Sequence, residues 1–255
     1  MLHTLFLPIL FLSYFGNTSN VEPIQPAQES PVLVELFTSQ GCSSCPPADR
    51  VVADLVKDPT INIVALSFHV DYWNRLGWKD PYSQAAFSQR QYKYAEKLTN
   101  SRRVYTPQIV INGQSGHVGS RRQEVQANIQ KAAQDKTPID FKLDIDQIKG
   151  QILELNVDAV GVPNGYDLVV CLVDAKVRNE VPRGENRGRD LAHVQVVRSL
   201  EKVNASQTKS LELDLSVLDH PKSGKVVTFL QHQGSWKILG VQETSLKNFE
   251  PKMKP

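Results

Sequence analysis

Hydrophobic and polar residues alternate in two different ways along the chain. From residue 31 to about 135, short apolar runs are separated by segments whose apolar residues recur every three or four positions. Such runs are typical of strands buried on both faces, and the longer period is typical of amphipathic helices. This part is therefore expected to be an α/β unit with the order β-α-β-α-β-β-α. The predicted strands cover 31–37, 61–68, 107–113 and a return strand after Asn112-Gly113, and the helices cover 45–58, 83–98 and a segment from Ser120.

After residue 137 the pattern changes to a strict alternation of apolar and polar positions, which is typical of half-buried antiparallel strands. The seven predicted strands, separated by turn signals, cover 139–145, 153–159, 166–174, 192–200, 211–218, 225–231 and 236–241. Many short strands of this kind predict a small, mostly antiparallel, sandwich-like β domain. We therefore expect two domains, an α/β domain over 31–136 and a β-rich domain over 137–250.

The N-terminal segment has the pattern of an export signal. Residues 5–15 are apolar over a length that is too short to span a bilayer but suits the core of a signal peptide. We expect a signal peptide over 1–20, a linker over 21–30, and a protein that is periplasmic or secreted. The alternative is a buried first element of the fold. No later segment approaches 18 apolar residues, so no stable membrane insertion of the mature chain is expected.

The charge of the chain argues against two classes of partner. The sequence has 29 basic and 27 acidic side chains, a net charge of +2, and no long run of one sign. Neither nucleic acid nor an anionic membrane surface is therefore an expected partner. Nothing in the pattern predicts an oligomeric state.

Two cysteines at C-x-x-C spacing carry the candidate chemistry. Cys42 and Cys45 lie between the first predicted strand and its helix. The pair could be a redox disulfide, half of a zinc site or an inert staple. Zinc needs four ligands, and the one other cysteine, Cys171, lies inside a predicted strand, so no metal is expected. A helix N-terminus favours a thiolate at Cys42, with Cys45 resolving the mixed disulfide, so redox chemistry is favoured.

The element order with a C-x-x-C after the first strand resembles the thioredoxin fold. A second match is Thr106-Pro107 before the third strand, where thioredoxin-like proteins carry a cis-proline facing the disulfide. More narrowly, the segments "VELFTSQGCSSCPPAD", "ALSFHVDYWNRLGWKDP", "YTPQIVINGQ" and "GENRGRDLAHVQVVR" resemble DUF1223, a bacterial thioredoxin-like family labelled only as a domain of unknown function.

The resemblance implies a fold but no proven substrate, and it places Thr106 and Pro107 beside the Cys42–Cys45 pair. From the spacing and position of the two cysteines, the activity that we expect is thiol–disulfide exchange on protein or peptide thiols and disulfides, without a dissociable cofactor. Two other classes stay open. One is a non-enzymatic binding or assembly module with a structural disulfide, and the other is a protein that handles Cu(I) with the two thiols as soft ligands.

Two further residues are candidates for proton transfer. Glu35 lies on the first predicted strand, where burial weakens the acidity of a carboxyl group, so it is expected to accept the proton that Cys45 loses. Alternatively, Glu35 reaches solvent or an arginine. His69 follows the second strand and opens a loop, 69–83, that is rich in aromatic and acidic residues. The loop is either one side of a substrate groove, with His69 assisting proton transfer, or a cover for the edge of the core. His69 and Asp71 are also a weak metal candidate.

One loop of the second half is dense in charge. Residues 176–190 contain four arginines among three acidic residues. The mixed signs favour a solvated, ion-paired hairpin over an anion site. If the loop is functional, it contacts the partner or packs over the thioredoxin-like cleft.

Overall fold

The computed structural model describes residues 30–135, 141–158, 162–206 and 210–248. The predicted signal peptide and nearly all of the predicted linker lie outside this part. The first half has the predicted element order. Its elements are β1 (Val32–Thr38), α1 (Pro46–Lys57), β2 (Ile63–His69), α2 (Ala85–Thr99), β3 (Gln108–Ile111), β4 (Ser115–Val118) and α3 (Arg122–Ala132). None of the described helices is long and apolar enough to cross a membrane.

The second half contributes seven strands. They are β5 (Lys142–Lys149), β6 (Ile152–Asp158), β7 (Tyr166–Val181), β8 (Arg189–Asn204), β9 (Ser210–Asp214), β10 (Gly224–His232) and β11 (Ile238–Ser245). β7 and β8 have 16 residues each and are much longer than predicted. Together they form one antiparallel hairpin whose arms extend into the charged segment that was expected to be a loop.

The strands of the two halves share one sheet. The large sheet has eight strands in the order β11-β10-β7-β8-β2-β1-β3-β4, and β5, β6 and β9 form a separate three-stranded antiparallel sheet. The junction is the parallel contact of β2 with β8, where Ser67 pairs with Val196 and the Ser67 hydroxyl donates to the Val194 carbonyl at 2.8 Å.

This pairing corrects the expected sandwich-like region over 137–250. Four of its strands extend the sheet of the first half, and only three form the separate small sheet. Alternation along a strand shows that one face is buried, but it does not show which neighbour supplies the hydrogen bonds. β2 is buried on both faces, and one of its edges would leave backbone N–H and C=O groups unpaired without a neighbouring strand. β8 is that neighbour. The domain boundary at residue 136 stays a prediction.

The layers follow from the alternation along β1. Val34 and Leu36 face α1 and α3, whose buried residues include Val52 and Val125. The opposite face packs against α2 and the aromatic side chains Phe37, Phe68, Phe87 and Tyr94. A third cluster joins the small sheet, through Leu153, Leu155 and Leu213, to β7 and β10. Because β1 is covered on both sides, its C-terminal end leads directly into a buried loop before α1.

Candidate functional site

The cysteine pair lies in the segment that connects β1 to α1. Cys42 and Cys45 form a disulfide, with Cα atoms 5.4 Å apart. Cys45 caps α1, whose first turn begins with Pro46, and its carbonyl accepts from the Ala48 N–H at 2.8 Å. Proline suits this position because a first-turn residue needs no helical donor. Both cysteines have no exposed surface, whereas the intervening Ser43 and Ser44 are exposed.

The loop before β3 lies against this disulfide. The Thr106–Pro107 peptide bond is cis, as the resemblance implies. Ser44 links the two segments, since its hydroxyl lies 3.3 Å from Cys42 Sγ and 3.5 Å from the Thr106 carbonyl. The Thr106 hydroxyl accepts from Trp73 Nε1 at 2.8 Å. The structure therefore brings together four of the six predicted site residues, Cys42, Cys45, Thr106 and Pro107.

The tip of the β7–β8 hairpin, residues 182–188, covers the cysteine loop. Asn186 is completely buried, and its side-chain amide donates to the carbonyls of Gln40 and Cys42, at 2.9 Å each. Beside it, Glu185 accepts from the Ser43 N–H at 3.0 Å, and hydrogen bonds from Ser43 lower the pKa of Glu185. The tip of this segment is therefore packed on the cysteine loop, although the mixed charges favoured a solvated hairpin.

Farther from the tip, the arms of the hairpin carry an exposed ion pair, as the mixed charges predicted. Arg178 and Asp190 form an exposed ion pair, with Nε and Oδ2 2.7 Å apart. The solvated, ion-paired character that was expected for 176–190 thus describes the arms of the hairpin, and the docked Asn186 is the exception.

Glu35 is engaged away from the disulfide. Arg90 on α2 donates to both of its carboxylate oxygens, from Nε at 2.6 Å and from Nη2 at 2.9 Å, and the Tyr94 hydroxyl donates at 2.5 Å. Gln231 completes the cluster by accepting from Arg90 and donating to the Tyr94 hydroxyl. Burial raises the pKa of Tyr94 well above its ordinary value, so the phenol stays a donor.

This geometry corrects the proton-transfer role expected of Glu35. Its side chain shares the β1 face of Phe37, which packs on α2, whereas α1 packs on the opposite face, that of Val34 and Leu36. A carboxylate that accepts three hydrogen bonds, two of them from one guanidinium, is engaged as a buried ion pair and not as a free proton acceptor. The alternative reading, an arginine partner, is the one observed.

His69 is buried and held by the loop that follows it. Its Nδ1 lies 2.7 Å from Asp80 Oδ2, and Asp80 also accepts from the backbone N–H groups of Gln40 and Tyr82. Burial alone would raise the pKa of Asp80, but His69 and these two N–H groups outweigh it and lower the pKa. Asp71, the other residue of the weak metal candidate, is bonded instead to the Ser88 hydroxyl at 2.5 Å.

Two residues that the sequence analysis did not single out extend this polar cluster. His193 on β8 lies with its ring 4.6 Å from that of His69, and its Nδ1 is 3.5 Å from Asp49 Oδ2. Asp49 lies one helical turn after Cys45 and also accepts from the Thr38 hydroxyl at 3.1 Å. Burial opposes protonation of His193, but Asp49 and, more weakly, Asp80 outweigh it and raise the pKa of His193.

The sequence positions of Asp49 and His193 could have pointed to both residues. Asp49 is four residues after Cys45, the spacing that puts two side chains on one helical face. His193 lies two residues from Leu191 and two from Gln195, so the three share one face of a strand. All three are buried. Cys171, expected to be a buried hydrophobe, has no exposed surface, and burial raises the pKa of its thiol. Within the described ranges, no group of three or more histidine, cysteine or acidic residues is arranged to hold a metal ion.

The fold and the site define a mixed α/β protein with a disulfide at a helix start, covered by a hairpin from its second half. The chain belongs to the family described as "Protein of unknown function (DUF1223)", whose model matches residues 33–231. No curated protein matches the chain.

Two solved structures are similar to it. Protein AGR_C_4864 from Agrobacterium tumefaciens is 28% identical, with a TM-score of 0.67 over 89% of this chain and 100% of that one. HBP35 of Porphyromonas gingivalis is 16% identical, with a TM-score of 0.61 over 89% of this chain and 78% of that one, a likeness of fold alone.

Proposed function

We propose that this protein is an exported, thioredoxin-like thiol–disulfide exchange protein that acts on protein or peptide substrates without a dissociable cofactor. The observation that carries the proposal is the Cys42–Cys45 disulfide at the start of α1, linked through Ser44 to the Thr106 carbonyl. An extracytoplasmic location suits a persistent disulfide.

The positions of the two cysteines support different roles for their thiols. Cys42 precedes the helix, where unpaired N–H groups and the helix dipole favour its thiolate. The Ser44 hydroxyl donates to the Thr106 carbonyl in the disulfide form, and at 3.3 Å from Cys42 Sγ it can turn its one proton to a thiolate there. Cys45, which caps α1, is the resolving thiol.

The exchange runs in two balanced steps. The Cys42 thiolate attacks a substrate disulfide and forms a mixed disulfide, and the displaced substrate sulfur leaves with the electron pair and takes up a proton. Cys45 then loses its proton and attacks Cys42, the protein disulfide forms, and the second substrate thiolate leaves and is protonated. Two protein thiols are oxidised for each substrate disulfide reduced, and the reverse sequence oxidises two substrate thiols.

Asp49 takes the role that was expected of Glu35. It lies on the same helical face as Cys45, its N–H donates to the Cys45 carbonyl at 3.1 Å, and it is 8% exposed. A buried carboxylate one turn from the resolving thiol suits acceptance of its proton. The nearby His193 offers a positive or donating partner for the same carboxylate.

Thr106 is the proposed contact for the substrate backbone. Trp73 holds its side chain, and its carbonyl faces Ser44 beside the disulfide. An extended peptide that pairs with this segment would bring its own sulfur to Cys42.

One observation favours a second candidate function, a non-enzymatic module with a structural disulfide. Cys42 and Cys45 are both completely buried, and Asn186 is bonded to the Cys42 carbonyl. In this second account the hairpin tip and the disulfide together stiffen the loop between β1 and α1.

Trapping with a peptide disulfide separates the two accounts. The reduced Cys45→Ser variant should accumulate a mixed disulfide with the peptide, visible by mass spectrometry, because Cys42 attacks and nothing resolves the product. The Cys42→Ser variant should not. Equal trapping by both variants would overturn the assignment of the attacking thiol, and no trapping by either would favour the structural disulfide.

A further inference from the structure

The contacts between the hairpin tip and the cysteine loop involve the backbone groups that surround Cys42. Asn186 reaches the loop from 144 residues away in sequence and bonds the Cys42 carbonyl, and the same amide bonds the Gln40 carbonyl. A fully buried side chain that satisfies two carbonyls fixes the backbone on which Cys42 is mounted. Arg189 in turn donates to the Asn186 side-chain oxygen at 3.0 Å, so the amide orientation is fixed as well.

Glu185 accepts a hydrogen bond from a backbone N–H that could otherwise stabilise a thiolate at Cys42. Its Oε2 accepts from the N–H of Ser43, the residue directly after Cys42. N–H groups before the first turn of a helix are the groups that stabilise an anion there. With a carboxylate already on this N–H, a second negative charge on Cys42 meets a like charge nearby, which disfavours it.

The other charged groups around Cys42 do not reverse this effect of Glu185. Arg183 and Arg187 on the tip and Arg189 at the start of β8 favour a thiolate, and Asp49 on α1 lies beside His193 on β8. All of these groups stay in place when Glu185 alone is neutralised. The contribution of Glu185 can therefore be measured against a constant background.

We propose that the hairpin tip belongs to the redox site, where Asn186 holds the backbone of Cys42 and Glu185 opposes formation of its thiolate. Both are positioning residues and neither reacts. The inference rests on the proposed function in that it concerns the thiol assigned as the attacking one. It makes the tip a restraint on the reactivity of Cys42, whose side chain is completely buried.

Glu185→Gln tests the electrostatic part. Glutamine keeps an oxygen that accepts from Ser43 and removes only the charge. In a Cys45→Ser background, the rate of Cys42 alkylation by iodoacetamide is measured from pH 5 to 10. The Gln variant should titrate at lower pH and react roughly threefold faster on the acidic limb, the size expected for one charge a few ångströms away near water. The gain should shrink in about 1 M salt, where the screening length falls to about 3 Å.

Glu180→Gln is the matched control. It makes the same charge change on the same hairpin, at a residue that pairs in register with Asp190. Its alkylation profile should match that of the parent. An unchanged profile for Glu185→Gln, or equal shifts for the two variants, would overturn the role of Glu185.

Asn186→Asp tests the restraint. The near-isosteric carboxylate faces two carbonyls instead of donating to them, so the tip should release and dithiothreitol should reduce the disulfide at least several-fold faster. An unchanged reduction rate in a folded variant would overturn the role of Asn186. If Asn186→Asp does not fold, Asn186→Ser is measured in the same way.

These readouts need no substrate. An effect of Glu185→Gln without any peptide exchange would contradict the proposed function and leave only the influence of Glu185 on the Cys42 thiol. Peptide exchange with an unchanged Glu185→Gln profile would support the proposed function and overturn the role of Glu185.

Discussion

The side-chain amide of Asn186 donates a 2.9 Å hydrogen bond to the backbone carbonyl of Cys42. The contact joins the second half of the chain to the disulfide loop of the first half. Together with the pairing of Ser67 with Val196, it ties the cysteine loop to a hairpin of 16-residue strands. That hairpin is part of the large sheet, so the cysteine loop is attached to the sheet through both β1 and the β7–β8 hairpin.

Removing this amide should destabilise the protein. Asn186→Ala leaves the carbonyls of Gln40 and Cys42 buried without that donor, at a cost of about 2 kcal/mol in the free energy of unfolding. Urea unfolding followed by circular dichroism measures it. Asn156→Ala, at an exposed strand position, is the control and should change the free energy by less than about 0.5 kcal/mol. A cost for Asn186→Ala no larger than the control's would mean that the tip is not docked in solution.

Neutralising Glu35 should destabilise the protein much more. Glu35→Gln leaves the Arg90 guanidinium buried without its counter-charge, and breaking such a pair costs about 3 kcal/mol or more. The double variant Glu35→Gln/Arg90→Met should lose less than the sum of the two single variants, because neither charge is then left alone. Asp190→Asn, in the exposed pair with Arg178, is the control and should cost little. A Glu35→Gln variant as stable as the parent would contradict the buried ion pair.

His193 should make stability depend on pH. The folded protein raises the pKa of His193 above 6.5, through Asp49 and Asp80, so folding favours the protonated ring. This contribution is fully present below about pH 6.5 and is lost as the pH rises through the higher folded-state value. The other titratable groups facing the ring are His69 and Tyr82. The free energy of unfolding from pH 5.5 to 9 should fall across that window, and His193→Gln should remove this fall. An identical slope in the variant would rule out this role of His193.

Local patterns were enough to predict the elements around the disulfide. Short apolar runs marked β1, β2 and β3, and the proline after Cys45 marked the start of α1, because these signals act within a few residues. Family resemblance added the cis bond before Pro107, which is observed.

The partners of the buried polar groups could not be predicted in the same way. Arg90 is 55 residues from Glu35, and Asn186 is 144 residues from Cys42. A strand or helix pattern shows that a side chain faces inward, but the residue it meets there depends on how the sheet is assembled. The sequence did not show that β8 lies beside β2. The contact of His193 with Asp49 and His69 could therefore not be predicted.

The equilibrium reduction potential of the Cys42–Cys45 pair, measured in glutathione buffers at pH 7 alongside exchange with a peptide disulfide, distinguishes an exchange protein from a structural disulfide. Exchange proteins have potentials of about −120 to −270 mV, and structural disulfides lie below about −300 mV. The account predicts a potential within the first range and measurable exchange. A potential below about −300 mV without exchange would contradict it and leave a structural disulfide under the hairpin tip.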